Sequence, residues 1–205
     1  LTVRFILADF LNVCLAQLFP PLSINSLTMT EEQPFTLIAK YPGFEVRHYP
    51  TYVLVQVETK GEFTSAASRA FRPLVNYISG NNRGQEKFAM TAPVLHAPDR
   101  KATNHTVSFV LPKDVSINDL PMPLDVQVST VEVPGHFAAA TKFRGLAGYE
   151  HFKSLGDRLM VDVKSAGLNA VGDPYYARFD PPWKPGFLRR NEAIVALAGY
   201  PSKGN

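Results

Sequence analysis

The chain has 205 residues, of which 45% are hydrophobic, 19% charged and 11% aromatic, with a formal net charge of +3. That length and a mean hydropathy of −0.06 suit one domain or two small lobes sharing a core, and they exclude a disordered, collagenous or coiled-coil chain. Lysines and arginines are scattered rather than gathered into the stripe that nucleic acid requires. A single cysteine, Cys14, excludes an intramolecular disulfide framework and a cysteine-rich metal site. No two of the five histidines stand at i,i+4, which argues against a zinc hydrolase.

Leu1 to Leu18 is mostly apolar, with Arg4 near its front, and Pro20-Pro21 and a polar stretch follow. Asp9 and Asn12 interrupt the run, no clean A-x-A site follows, and the run is too short and polar for a membrane span. Residues 1–28 read either as a targeting or leader segment or as an extension without structural purpose, because Met29 opens the fluent domain sequence. The expected organisation is that leader, a domain over residues 29–200 and a tail over 201–205. The location is then cytoplasmic, or secreted or organellar if the leader is a targeting segment.

Within the domain a weak repeat stands out, over roughly residues 44–120 and 124–198. Tyr52 to Glu58 alternates at period two, as a strand does, and a helix begins near Thr64 as N-cap and stops at Gly80. That helix places Ala67, Phe71, Leu74, Val75 and Ile78 on one face. Pro73 inside it predicts a kink or a hydrogen bond lost on the solvent side. In the second half His136 to Phe143 is a strand, followed by a helix whose stripe is Phe152, Leu155, Leu159 and Val163, stopping at Gly167. Further strands are predicted at Thr106–Leu111, Asp125–Val133, Tyr175–Phe179 and Ala193–Ala198, with loops at Gly80–Gly84, Ala97–Asn104 and Pro112–Pro123. The sum is an α+β fold, a largely antiparallel sheet carrying two helices.

Three segments go beyond patterning: Phe44-Glu-Val-Arg-His-Tyr49, Lys87-Phe-Ala-Met-Thr-Ala-Pro-Val94, and Tyr175-Tyr-Ala-Arg-Phe-Asp-Pro-Pro-Trp-Lys-Pro185 continuing to Arg189-Arg-Asn-Glu192. In this order, from Phe35 to Leu197, they resemble the SOUL family of haem-binding proteins. The resemblance implies two β-α-β-β-type repeats related by a pseudo-twofold axis, forming a distorted antiparallel barrel like that of effector-binding domains. It also implies reversible, non-catalytic binding of haem b or a related tetrapyrrole, as carrier, buffer or sensor. Nucleic acid and an integral membrane span are not expected partners.

Haem needs an apolar wall, cations at its edge and, optionally, an axial ligand. The resemblance places the wall on the first helix at Phe71 and Val75, with Leu74 and Ile78 nearby; Ser68 and Asn76 stand where flanking charges would be. The same residues also read as ordinary core. His48 alternates with Phe44 and Val46 on the apolar face of its strand. It is either a core histidine satisfied by one hydrogen bond or, on the resemblance, the axial ligand. Lys184 matches a family lysine that meets a propionate, and Arg178 and Arg83 are weaker candidates. Met90 is an architectural residue or, less readily, an iron ligand. Glu192 reads as a structural ion pair, and His96, His105, His136 and His151 as solvated. The rival functions are an effector-binding module for another flat apolar anion, and an enzyme using Glu192 or His48 on a hydrophobic substrate.

Overall fold

The computed structural model describes residues 30–200 apart from 100, 102, 147 and 182. The chain divides into two units, Leu1–Thr30 and Glu31–Asn205, and the fold is that of the second. The expected leader over residues 1–28 and the tail over 201–205 lie outside the described residues.

Among the described residues nine strands form one sheet: β1 (Thr36–Tyr41), β2 (Phe44–Tyr49), β3 (Tyr52–Lys60), β4 (Val94–Pro98), β5 (Asn104–Val110), β6 (Val128–Val133), β7 (His136–Arg144), β8 (Ala170–Arg178) and β9 (Arg190–Leu197). Two helices accompany them, α1 (Phe63–Ile78) between β3 and β4, and α2 (Tyr149–Ser165) between β7 and β8. The spatial order is β1-β2-β7-β9-β8-β4-β5-β3-β6, with every pairing antiparallel. The sheet does not close: β1 and β6 are its two edges, so the expected barrel is an open, curled sheet.

The order is symmetric about the β4–β8 pair. On one side lie β4-β5-β3 and then β6; on the other lie β8-β9-β7 and then β2. Each half of the chain therefore supplies β-β-α-β-β, and the first strand of each, β2 or β6, completes the other half's arm. The strand β1, TLIAKY, has no counterpart in the sequence reading. Its alternation is broken by a bulge between Leu37 and Ala39, and most of its residues are exposed at the sheet edge.

Alternation sorts the strand side chains between two faces. On the convex face α1 packs over Val53, Val55, Val57, Val107 and Phe109, and α2 over Phe44, Val46, Ala139, Tyr176, Ala193 and Val195. The concave face gathers Tyr49, Leu54, Leu95, Val110, Ala138, Ala140, Ala177 and Ile194. Both faces of the central strands are thus covered, and burying each large aliphatic side chain stabilises the fold by about 1.5–3 kcal/mol.

The core-facing stripe of α1 differs from the expected one. Its buried residues are Phe63, Ala66, Ala70, Leu74, Tyr77 and Ile78, whereas Phe71 is 45% exposed. The two alanines bring the helix close to the sheet, and Phe71 and Val75 rotate to its outer edge. The N-cap is Glu62, without a side-chain cap bond, rather than Thr64, because Phe63 must already lie in the core. Gly80 (φ +105°) ends the helix as expected, and Pro73 lies inside it at a half-buried position. In α2 the stripe of Phe152, Leu159 and Val163 is as read, with Gly156 buried beside it.

Candidate functional site

The outer edge of α1 is the first candidate surface. Phe71 meets the buried Phe109 edge-on, with ring centroids 5.4 Å apart, and its other side faces solvent. Val75 is half-buried and shares its packing with Ile117 and Leu120 of the loop between β5 and β6. That loop is held to α1 by Tyr77 Oη, which donates to Pro121 O at 2.9 Å. Leu74, fully buried, and Ile78 belong to the core beneath, so the part of the expected wall that reaches solvent is Phe71 with Val75. Ser68 Oγ donates to Thr64 O in its own helix. Arg72, next to Phe71, and Arg83 are exposed cations of this arm, as are Lys60, Arg69 and Lys87. Arg72 escaped notice in the sequence because the family pattern points elsewhere.

The other sequence-selected residues stand apart from this edge. His48 is half-buried on β2, in the α2 arm, edge-on to Phe137 at 5.0 Å. Lys184, in the β8–β9 loop, donates to Asp180 Oδ1 at 2.7 Å. Arg178 is packed between Phe63 and Phe152, its guanidinium carbon 5.1 Å from each ring centroid, and burial lowers its pKa to about 10. Wall, axial histidine and edge cations therefore do not converge on one site. The Met90-to-Pro93 stretch is not strand; β4 begins at Val94, and Thr91 Oγ1 donates to Val110 O at 2.5 Å.

Two histidines expected in solvent are in the core. His96 and His105 are buried, and Phe63 stacks on the His96 ring at 3.9 Å. Arg178 Nη1 lies 3.3 Å from His96 Nδ1. A guanidinium only donates, so Nδ1 accepts and His96 Nε2–H donates to His105 Nδ1 at 3.1 Å. His105 Nε2–H then donates to Gly61 O at 2.7 Å. Every link is satisfied with both imidazoles neutral. Burial, then the charge of Arg178, then His105 push the His96 pKa down to about 3. A signal existed in the sequence, since alternation places His105 with Val107 and Phe109. His136, half-buried, donates from Nδ1 to Pro134 O, and His151 is exposed against Phe143.

The concave face holds a second buried charge system. Arg47 grips Glu192 with two bonds, Nη1 to Oε2 at 2.6 Å and Nη2 to Oε1 at 2.9 Å. It also donates to Tyr49 Oη at 3.1 Å and to Glu45 Oε2 at 2.9 Å. Burial disfavours the charge on Arg47, but Glu192 and Tyr49 outweigh it and hold its pKa above the usual value. Burial also raises the phenol of Tyr49 to about 12 and that of Tyr175 well above its ordinary value. The expected ion pair of Glu192 is thus real, but its partner is Arg47 rather than the arginines beside it in sequence. Removing one member of such a pair costs about 3–5 kcal/mol. Phe35 lies over the Arg47 guanidinium at 4.2 Å, while Gln33 N–H donates to Ala92 O and Arg190 pairs with Glu32. Residues 31–35 form a strap over this face.

Two hollows open elsewhere. One, of about 360 Å³, is lined by Tyr52, Val133, Pro134, Gly135, His136, Tyr175 and Ala196; the other, of about 500 Å³, lies beside His105, Lys60 and Asp99. Neither includes a residue selected from the sequence for haem. Among the described residues no group of three or more His, Cys, Asp or Glu side chains is placed to hold a metal ion. No helix among them is long and apolar enough to cross a membrane.

The SOUL heme-binding protein family matches residues 30–196 of the chain. No curated protein sequence matches it. In fold it is similar to the EcmrR C-terminal domain, at TM-score 0.60 and 13% identity over 77% of this chain and 98% of that one. EcmrR in a DNA complex gives TM-score 0.58 and 15% identity, over 77% of this chain and 57% of that one. A hydrolase from Listeria innocua gives TM-score 0.52 and 13% identity, over 78% and 94%. At such identities the likeness is one of fold alone, an effector-binding-like α+β architecture.

Proposed function

The chain belongs to the SOUL heme-binding family, and on that premise we propose that it binds a tetrapyrrole reversibly and without catalysis, against the outer edge of α1. The observation that carries the placement is Phe71, a large aromatic left 45% exposed on a helix whose core stripe is complete without it. Phe71 and Val75 offer the ring a flat apolar contact, and Arg72, beside Phe71, and Arg83 are two of the arm's exposed cations that would meet its carboxylates. His48 lies on the other arm and Lys184 is held by Asp180, so neither enters this placement. A non-catalytic role is supported by Glu192, whose two oxygens are both engaged by Arg47 and leave no free general base there.

Titration with haemin and with iron-free protoporphyrin tests the reading. Saturable Soret shifts of comparable affinity for both are expected, with the haemin spectrum unchanged by His48→Ala. A changed spectrum in that variant would move the ring to β2, with His48 on the iron. No saturable shift with either compound would overturn tetrapyrrole binding. The concave hollow beside Tyr52, Tyr175 and His136 supports a second reading, a smaller flat aromatic ligand. Protection of Tyr52 from nitration by such a ligand, but not by haemin, would favour it.

A further inference from the structure

The start of β3, the β6–β7 turn and a bulge in β8 frame the hollow of about 360 Å³. Tyr52 opens β3 and pairs with Val133 at the end of β6. His136 opens β7 and pairs with Tyr49. On β8, Tyr175 pairs with Ile194 and Val171 with Ala196, so β8 runs three residues between those pairs where β9 runs one. A bulge of this kind re-aims the side chain that follows it, here Tyr175, and the small side chain of Ala196 stands beside it. Tyr52, Val133 and Tyr175 all pack onto the apolar cluster of the concave face, which forms the floor.

Two polar atoms on this lining are not used by the fold. Tyr175 Oη makes no hydrogen bond among the described residues, and no fully buried side-chain oxygen or nitrogen among them lacks one, so this hydroxyl opens on the hollow. His136 is committed at one nitrogen: Nδ1–H donates to Pro134 O at 2.9 Å, and the neutral imidazole then carries its lone pair on Nε2. Its ring stacks on Tyr49 with centroids 5.7 Å apart and tilts against Tyr52 at 6.0 Å, while the Tyr52 phenol is met by Gln33 of the strap. The hollow therefore presents one hydroxyl donor and one imidazole acceptor among aromatic rings. The charges beneath it are matched. Arg47 holds both oxygens of Glu192, and Arg47 and Lys142 hold Glu45, which leaves neither carboxylate free to pair with a cation. An anion is opposed as well: burial, the neighbouring phenols and Glu192 keep the Tyr175 phenol well above its ordinary pKa, and an entering carboxylate would meet the same surroundings. A volume near 360 Å³ lies at the small end of ligand sites, roughly 300–1,000 Å³, and suits one or two rings.

Resting on the second reading above, we propose that this hollow binds a neutral hydroxyaromatic compound of one or two rings, whose hydroxyl accepts from Tyr175 Oη and donates to His136 Nε2. The rings of Tyr52 and His136 supply the aromatic contact, and the hydroxyl selects among aromatic compounds. Equilibrium dialysis of the full chain against 2-naphthol, naphthalene and 2-naphthoate tests this. 2-Naphthol should bind saturably, naphthalene about tenfold more weakly and 2-naphthoate more weakly again. Tyr175→Phe removes a hydroxyl that no protein group needs, so its urea midpoint should match that of the parent. The variant should bind 2-naphthol roughly three- to tenfold more weakly and naphthalene as before. Equal affinities of the parent for 2-naphthol and naphthalene would overturn the proposal and leave the aromatic site of the second reading standing. Undiminished 2-naphthol binding by Tyr175→Phe would overturn it too, because the contact would then be made elsewhere. So would a fall in the urea midpoint of that variant, which would show the hydroxyl already used by the fold. Tighter binding of 2-naphthoate than of 2-naphthol would overturn it in favour of an anion. No binding of any of the three would overturn this proposal and the second reading together.

Discussion

The two arms share one topology but use their aromatic residues differently. Under α2 the core is aromatic: Phe44, Phe63, Phe152 and Tyr176 are all buried, with Tyr41, Phe137, Phe143 and Tyr149 packed against them. Phe63 is supplied by α1, so the second arm even borrows from the first. Under α1 the core is largely aliphatic, valines with Leu74, Ile78 and Leu111 around Phe109 and Tyr77. There the helix leaves Phe71 outside. The symmetric strand order offers two equivalent platforms, of which one is filled as a closed core and the other keeps an open aromatic edge.

The largest expected effect breaks the closed arm. Phe152→Ala removes a fully buried ring and should lower stability by about 3–5 kcal/mol, read as a fall in the urea midpoint. Haemin titration under native conditions should be unchanged, because Phe152 lies on the arm without the open edge. An equal loss of haem affinity would show that the arms do not divide labour in this way.

A middle-sized effect probes the seam where the arms meet. His96 pairs across the β4–β8 junction with Tyr176 and has its pKa pushed down to about 3 in the fold, against ~6.5 in the unfolded chain. Between those values the unfolded chain binds more protons, so stability falls as the pH drops from about 6.5 toward 3. His96→Gln should be less stable than the parent at pH 8, and the difference should shrink steadily on acidification. A difference independent of pH would remove His96 from the linkage.

The smallest effect on stability belongs to the open edge. Phe71→Ser should change the urea midpoint by less than about 1 kcal/mol, as expected for a half-exposed side chain. Losing a ring contact worth about 1.5–3 kcal/mol should weaken haemin binding by roughly ten- to a hundredfold. Phe152→Ala and Phe71→Ser would then carry opposite signatures, and a large stability loss in the second would make Phe71 core after all.

Periodicity found the helices and most strands because each buries one clear face. It misplaced the core stripe of α1 because it weighs Phe71 and Val75 above Ala66 and Ala70, whose small size is what lets the helix settle on the sheet. Alternation on β2 sets Arg47 opposite Val46, which suggests solvent. The concave face is covered as well, and no single strand's pattern records that. The distance between His48, on the α2 arm, and the α1 edge depends on the order of strands across the sheet. Local motifs carry no such information, so residues that a family pattern groups together lie apart here.

The lending of β2 and β6 between arms also governs how this chain is assembled. When β2 leaves the ribosome its partner β7 has not been made, and the Arg47–Glu192 grip joins residues 145 apart. The strand β9 is made after both of the strands that pair with it, β7 and β8. Such non-local pairing makes for slow, late-closing folding. It also means that a chain severed between β5 and β6 gives two pieces, each lacking a strand the other carries. Mixed together, they have every reason to reassemble; kept apart, neither has a finished arm to fold around.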